Sequence, residues 1–341
     1  MRFADICGHE NAITQLKNAV SSGRLGHAYL FHGPQGIGKR EVALAFAAYL
    51  NCPSNNGADS CGVCRDCETA NAGTHHNIFT VWPTIKEKGD DLVKADKPED
   101  GLIRIPQIRE LQNLLKHRAG HGKKAVIVEG AERFMPQAAN AFLKTLEEPP
   151  PDSVIMLIAS RPSELLPTML SRCQRLGFKP LAHDALKSYL IERLEIAPTA
   201  ASAASRFSAG SIGSALAYLK DGAGEGSIAL ALRAISVTLK DADGALKIAD
   251  ELAKRDDLIE VLEFFKIWCR DRAVAGAGCP ELAVNAEAAG FPAEFRELYG
   301  SYEAITEAIY DITPPRYANR LLTMEAMMLR LAGCNAGQVI G

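Results

Sequence analysis

The 341-residue chain contains no apolar run approaching the ~18 residues that a membrane span requires. Its opening, Met1-Arg2-Phe3-Ala4-Asp5, lacks a charged-then-apolar leader. The expectation is a soluble, cytoplasmic protein with no membrane partner. Excess charge is also missing: 38 Lys+Arg against 41 Asp+Glu leave a formal net charge of −3. Such a chain does not hold DNA by bulk charge alone. Repeats and low-complexity tracts are absent. With 47% hydrophobic and 23% charged residues, this excludes a disordered, collagenous or coiled-coil protein. At about 100–200 residues per domain, the length predicts two or three domains with ample core.

What is present is arranged unevenly. From Phe3 to about Phe178, strand candidates alternate with helix candidates. Leu25 to Phe31 leads into a glycine-rich turn and then a helical run from Arg40 to Leu50. Ala125–Val128 and Val154–Ala159 are short, continuously apolar runs, the pattern of buried parallel strands, so an α/β sheet with helices on both faces is expected. Gly73 to Gly101, with Pro83, Gly89, Pro98 and the charge-rich 86–91, reads as a surface excursion. After Pro180 the strand signal fades. Residues 181–221 read as short helices, and Gly222-Ala223-Gly224-Glu225-Gly226-Ser227 as a flexible joint. Beyond it, Leu258, Val261, Leu262, Phe265 and Trp268 recur with helical period. Pro314-Pro315 is expected to open a last helix with Leu321, Leu322, Met324, Met327 and Met328 as its packing face.

Two motifs carry chemistry. Gly33-Pro34-Gln35-Gly36-Ile37-Gly38-Lys39-Arg40 lies between a strand and a helix, as a phosphate-binding loop requires. Glycines turn backbone N–H groups toward a polyphosphate and the lysine reaches its outer phosphates. The next residue, where a Ser or Thr would ligate Mg²⁺, is Arg40, which has no hydroxyl. The partner strand ends in Glu129-Gly130. Glu129 has the reach to approach a metal, whereas Gly130 cannot orient or deprotonate a water. The residues leave open ATP or ADP binding without hydrolysis, or a glycine-rich turn with no ligand.

The second motif is Cys52, Cys61, Cys64 and Cys67, spaced C-x8-C-x2-C-x2-C, while Cys7, Cys173, Cys269, Cys279 and Cys334 are scattered. Four such thiols can close a tetrahedral structural Zn²⁺ site with no position left for substrate. Reduced surface thiols and an iron–sulfur cluster are the alternatives, and the longer ferredoxin-type spacing is missing. Arg65 is a possible phosphate contact, and His75-His76 nearby reads as surface polarity. Arg104 and Arg109 flank Pro106, an expected first helical position, where a helix start can meet a phosphate or simply face water.

Together these residues resemble a clamp-loader AAA+ subunit of bacterial DNA polymerase III, almost end to end. The resemblance rests on His27-Ala28-Tyr29-Leu30-Phe31-His32-Gly33-Pro34, the cysteine insert, Asn140 to Pro150 (NAFLKTLEEPP) and Ser171-Arg172-Cys173, with a looser match at Ile103 to Arg109. It implies an AAA+ P-loop-like domain over 1–180 with a zinc insert at 52–67, a helical lid over 181–221 and a helical collar for oligomerisation over 228–335. It further implies gamma/tau and delta subunits, the sliding clamp and primed DNA as partners, and a place in the polymerase holoenzyme. By the same resemblance, Arg172 is an arginine finger serving a neighbouring subunit's ATP. A lid arginine of active subunits has no counterpart in Gly210-Ser211-Ile212-Gly213-Ser214-Ala215. With Arg40 and Glu129-Gly130, that favours an ATPase-silent member over the ATP-hydrolysing gamma/tau kind.

Overall fold

The structure, a computed structural model, describes residues 2–55, 57–86, 92–116, 119–208, 210–220, 242–255, 258–283, 295–313 and 316–332. The chain divides into two units, Met1–Leu181 and Ala182–Gly341.

The first unit holds five parallel strands: β1 (Ala28–His32), β2 (Ile78–Val81), β5 (Lys124–Val128), β6 (Ser153–Ala159) and β7 (Gln174–Gly177). They pair in the order β2-β5-β6-β1-β7. The middle strands are apolar at successive positions because both faces of the sheet are covered. Ile127, Met156 and Ile158 point into one core with Leu16, Val42 and Phe46. Val126, Ile155 and Leu157 point into the other with Ile108, Leu111 and Phe142. The first core is closed by α1 (Glu10–Ser21) and α2 (Lys39–Asn51), and the second by α4 (Ile105–Leu115) and α5 (Pro136–Glu147). The short helices α3 (Arg65–Asn71) and α6 (Pro167–Leu170) complete the unit.

Two parts of the sequence reading need correction. The excursion over 73–101 contributes β2, an edge strand of the main sheet paired with β5 from Ile78↔Ala125 to Val81↔Val128. It then forms a small antiparallel hairpin, β3 (Thr84–Lys86) with β4 (Leu92–Lys94), whose tip at 87–91 lies outside the described residues. β7, at the opposite edge, has no counterpart in the sequence reading. Both edge strands have four residues and partly exposed side chains, so neither has a buried strand's unbroken apolar run.

The second unit is helical among the described residues. α7 (His183–Leu194) packs on α8 (Pro198–Phe207), and α8 on α9 (Ile212–Lys220). Ala242–Ala253 (α10), Leu258–Gly276 (α11), Phe295–Ile312 (α12) and Arg320–Leu331 (α13) share another core. Leu258, Val261, Leu262, Phe265 and Trp268 are all buried there, as their period predicts. On α13, Met324, Met327 and Met328 are buried, but Leu321 and Leu322 are exposed at 37% and 63%. They belong to the first turn, before the helix's apolar stripe meets the core. That helix opens on Asn319, whose side chain accepts from the Leu322 N–H, and not on the prolines. Pro314, Pro315, the joint at 222–227 and the limits at 221, 228 and 335 lie outside the described residues. Among the described residues no helix is long and apolar enough to cross a membrane.

Candidate functional site

β1 ends at His32, and the loop Gly33–Gly38 carries the chain directly into α2. Gly33, Gly36 and Gly38 have φ of 149°, 69° and 104°, values that L side chains rarely adopt. A Cβ on Gly33 would stand 2.3 Å from the Phe178 carbonyl oxygen, so the loop closes against the sheet only with glycine there. Ile37 is fully buried and anchors the loop in the core beneath it. His9 Nε2 lies 2.6 Å from the Ile37 carbonyl oxygen. An oxygen that can only accept places the proton on that nitrogen.

Lys39, 5% exposed, is folded back on its own loop. Its Nζ donates to the carbonyl oxygens of Gly33 (2.7 Å) and Pro34 (2.5 Å) and reaches Ser160 Oγ at 3.4 Å. Burial pushes the ammonium down to about 8, against the pull of Glu132 and Glu129. Arg40 turns toward the end of β5, where its Nε lies 3.2 Å from Glu129 Oε1. Its guanidinium also sits 5.2 Å from the centre of the Trp82 ring. Glu129 is 5% exposed. Burial lifts its carboxyl to about 7 even though Arg40 pulls it back. Gly130, at φ 55°, turns the chain away, and the next carboxylate, Glu132, accepts from the Ser160 N–H at 3.0 Å.

These groups do not fit magnesium. The position that would offer a hydroxyl offers a cation, and the carboxylate that would face the metal faces that cation. The glycine backbone of a phosphate cradle is present, with its lysine engaged by loop carbonyls.

The cysteine centre follows α2. Cys52 caps the end of that helix, and Cys64 caps the start of α3, its sulfur accepting from the Cys67 N–H at 3.5 Å. The four sulfurs lie within 4.8 Å of one another, and the pairs Cys52–Cys64 and Cys61–Cys67 are each 3.9 Å apart. Tetrahedral zinc with Zn–S bonds of about 2.3 Å separates its sulfurs by about 3.8 Å, so the cluster fits that ion. The N–H groups of Cys61 and Cys64 also point at the sulfurs of Cys52 and Cys61, at 3.3 Å each. This cluster of four cysteines can hold zinc. His75 departs from the surface reading: it is 4% exposed, its Nε2 pairs with Asp66 at 3.1 Å, and it stacks on His76. His121 approaches the same Asp66 oxygen at 3.3 Å.

Arg172 follows α6. Its Nη2 meets Glu147 Oε1 at 2.6 Å and its Nη1 donates to the Thr168 carbonyl at 2.7 Å, with about a third of the side chain exposed. Arg104 precedes α4 and is half-buried, with Nη1 on the Met135 sulfur, while Arg65 and Arg109 are exposed. Pro106 is the second residue of α4. In the 210–215 turn, Ser211 is buried and its Oγ accepts from the Ser214 N–H at 3.1 Å, a helix cap where no arginine stands. The sequence reading missed His9, Trp82, Glu132 and Glu147 as site neighbours. His9 and Trp82 arrive from separate segments through the fold, whereas Glu132 lies three residues after Glu129 and Glu147 within 140–150, where nothing in the spacing marks them as neighbours of the site.

Comparison with known proteins gives this geometry its family. The DNA polymerase III subunit delta' of Pseudomonas aeruginosa is 44% identical over 148 residues, 43% of this chain and 41% of that protein. The Bacillus subtilis subunit delta' is 38% identical over 180 residues, 52% of this chain and 50% of that protein. The Escherichia coli subunit tau is 30% identical over 260 residues, 74% of this chain and 38% of that protein. The chain thus spans about half the length, or less, of these relatives. A family profile described as "DNA polymerase III, delta subunit" matches residues 8–182, just over half of the chain. The match covers the phosphate loop, the cysteine centre and Arg172, and the chain belongs to this family of DNA polymerase III subunits.

Proposed function

We propose that the chain acts in DNA replication as the delta' subunit of a DNA polymerase III clamp loader, one that does not hydrolyse ATP itself. The observation that carries this reading is the Arg40–Glu129 ion pair. A pocket with a phosphate-loop backbone has its two metal-holding positions occupied by each other. The relatives named delta' and the family profile support the identity of the subunit. Partners on this reading are gamma/tau and delta subunits, the sliding clamp and primed DNA in the cytoplasm. The parallel-sheet unit serves as the AAA+ domain, α7–α9 as its lid, and α10–α13 as a collar for assembly. The cysteine centre holds a structural Zn²⁺.

Arg172 acts in trans on a neighbouring subunit's ATP, its planar cation meeting the charge that develops on the transferred phosphoryl group. Glu147 and Thr168 hold it at the surface. A second reading, an ATP-hydrolysing gamma/tau-type subunit, draws on the retained Lys39 and the tau relative. Steady-state ATP turnover by the isolated chain separates the two. None is expected, and turnover abolished by Lys39→Ala would establish the second.

A further inference from the structure

We propose that Arg40 is a built-in cation standing in the place of magnesium, so that the phosphate-loop pocket is closed to divalent metal. This deepens the silent-subunit reading above and rests on it. In a phosphate-loop site, the residue after the lysine and the acid at the end of the partner strand hold the ion between them. Here those two positions face each other as an ion pair, Arg40 Nε 3.2 Å from Glu129 Oε1, without hydrogen-bond geometry. The guanidinium is also held from a second side. Trp82 lies 5.2 Å from it, and the indole N–H is fixed on the Ala95 carbonyl oxygen at 2.7 Å. The ring therefore cannot swing aside without losing a hydrogen bond.

Glu129 is 5% exposed and carries Arg40 at its carboxylate, with Glu41 and Glu132 the other acids whose charge bears on it. A divalent ion arriving there would meet Arg40, with Lys39 one residue away and fixed on the loop carbonyls. Like charges at such separations in a partly buried site repel strongly, and neither side chain offers an oxygen ligand. A polyphosphate entering the loop would therefore find its countercharge in Lys39 and Arg40, with no bridging metal.

The test uses the full-length, zinc-loaded chain with ADP and Mn²⁺, a paramagnetic ion of magnesium-like oxygen preference that leaves thiolate centres alone. Water-proton relaxation reads bound Mn²⁺. Wild type is expected to show no ADP-dependent Mn²⁺ binding, and any thermal shift caused by ADP should be the same with and without Mg²⁺. Arg40→Ser combined with Glu129→Asp should bind Mn²⁺–ADP at least about tenfold tighter than wild type. Arg40→Ser alone, which keeps the native carboxylate, should move in the same direction. ADP-dependent Mn²⁺ binding by wild type overturns the proposal, as does a folded Arg40→Ser chain that gains none. Wild type that binds Mn²⁺–ADP without ATP turnover would overturn this inference and leave the silent-subunit reading standing. A chain without bound Mn²⁺ whose Arg172 proves dispensable would do the reverse.

Discussion

At the scale of single residues, burial sets the charge balance of the phosphate-loop pocket. Glu129 is lifted from an ordinary 4.5 to about 7 by desolvation, with Arg40 opposing. A carboxyl whose folded value is raised binds its proton more tightly in the native state. Stability is then whole below about pH 4.5 and is lost as pH rises through 7. Glu129→Gln removes that loss. The variant should match wild type near pH 5 and exceed it at pH 8, by up to about 3 kcal/mol, in denaturant titrations at the two values. An equal effect at both would show that the carboxyl titrates normally. Arg172 predicts the opposite kind of result. Its contact with Glu147 is a partly exposed ion pair, so Arg172→Ala should change stability by at most about 1 kcal/mol. The four cysteines, the glycine loop and the missing hydroxyl at position 40 were legible at this scale because they are defined by spacing along the chain. Trp82 and His9 were not, because only the fold brings them to Arg40 and Ile37.

At the scale of elements, α2 joins the phosphate loop at one end to the cysteine centre at the other. Around that centre, Phe3 and Ala4 N–H groups donate to Asp59, and Tyr49 donates to the Gly57 carbonyl. A metal holding Cys52, Cys61, Cys64 and Cys67 thus ties a long connection to the N-terminal segment and to α2. One zinc per chain is expected by elemental analysis, and Cys64→Ser should lose it and lower the melting temperature. Zinc content unchanged in the variant would contradict the ligand set. Zinc is expected to affect stability and not chemistry, since all four positions of a tetrahedral ion are filled. Against the sheet, Phe142 on α5 is fully buried in the core that also holds Val126 and Leu157. Phe142→Ala should cost about 3–5 kcal/mol in equilibrium unfolding. The central strands could be read from sequence because two-sided burial makes them uniformly apolar, as at Val154–Ala159. The edge strands β2 and β7 could not, because one flank of each faces solvent and their residues mix accordingly.

At the scale of the whole molecule, a net charge of −3 argues against holding DNA by bulk charge alone. The proposed clamp-loader assembly would share that work among subunits. On the proposed reading the chain contributes a pocket whose metal place is filled and an arginine directed at another subunit, so its part in ATP turnover would be visible only in the complex. DNA-stimulated ATPase activity of a clamp loader assembled with the Arg172→Ala chain, compared with one assembled from wild type, tests this most directly. The variant is expected to assemble normally and to lose the turnover of the adjacent ATP site, a loss of about 10³-fold or more at that site. Full DNA-stimulated turnover in the assembled Arg172→Ala complex would contradict it.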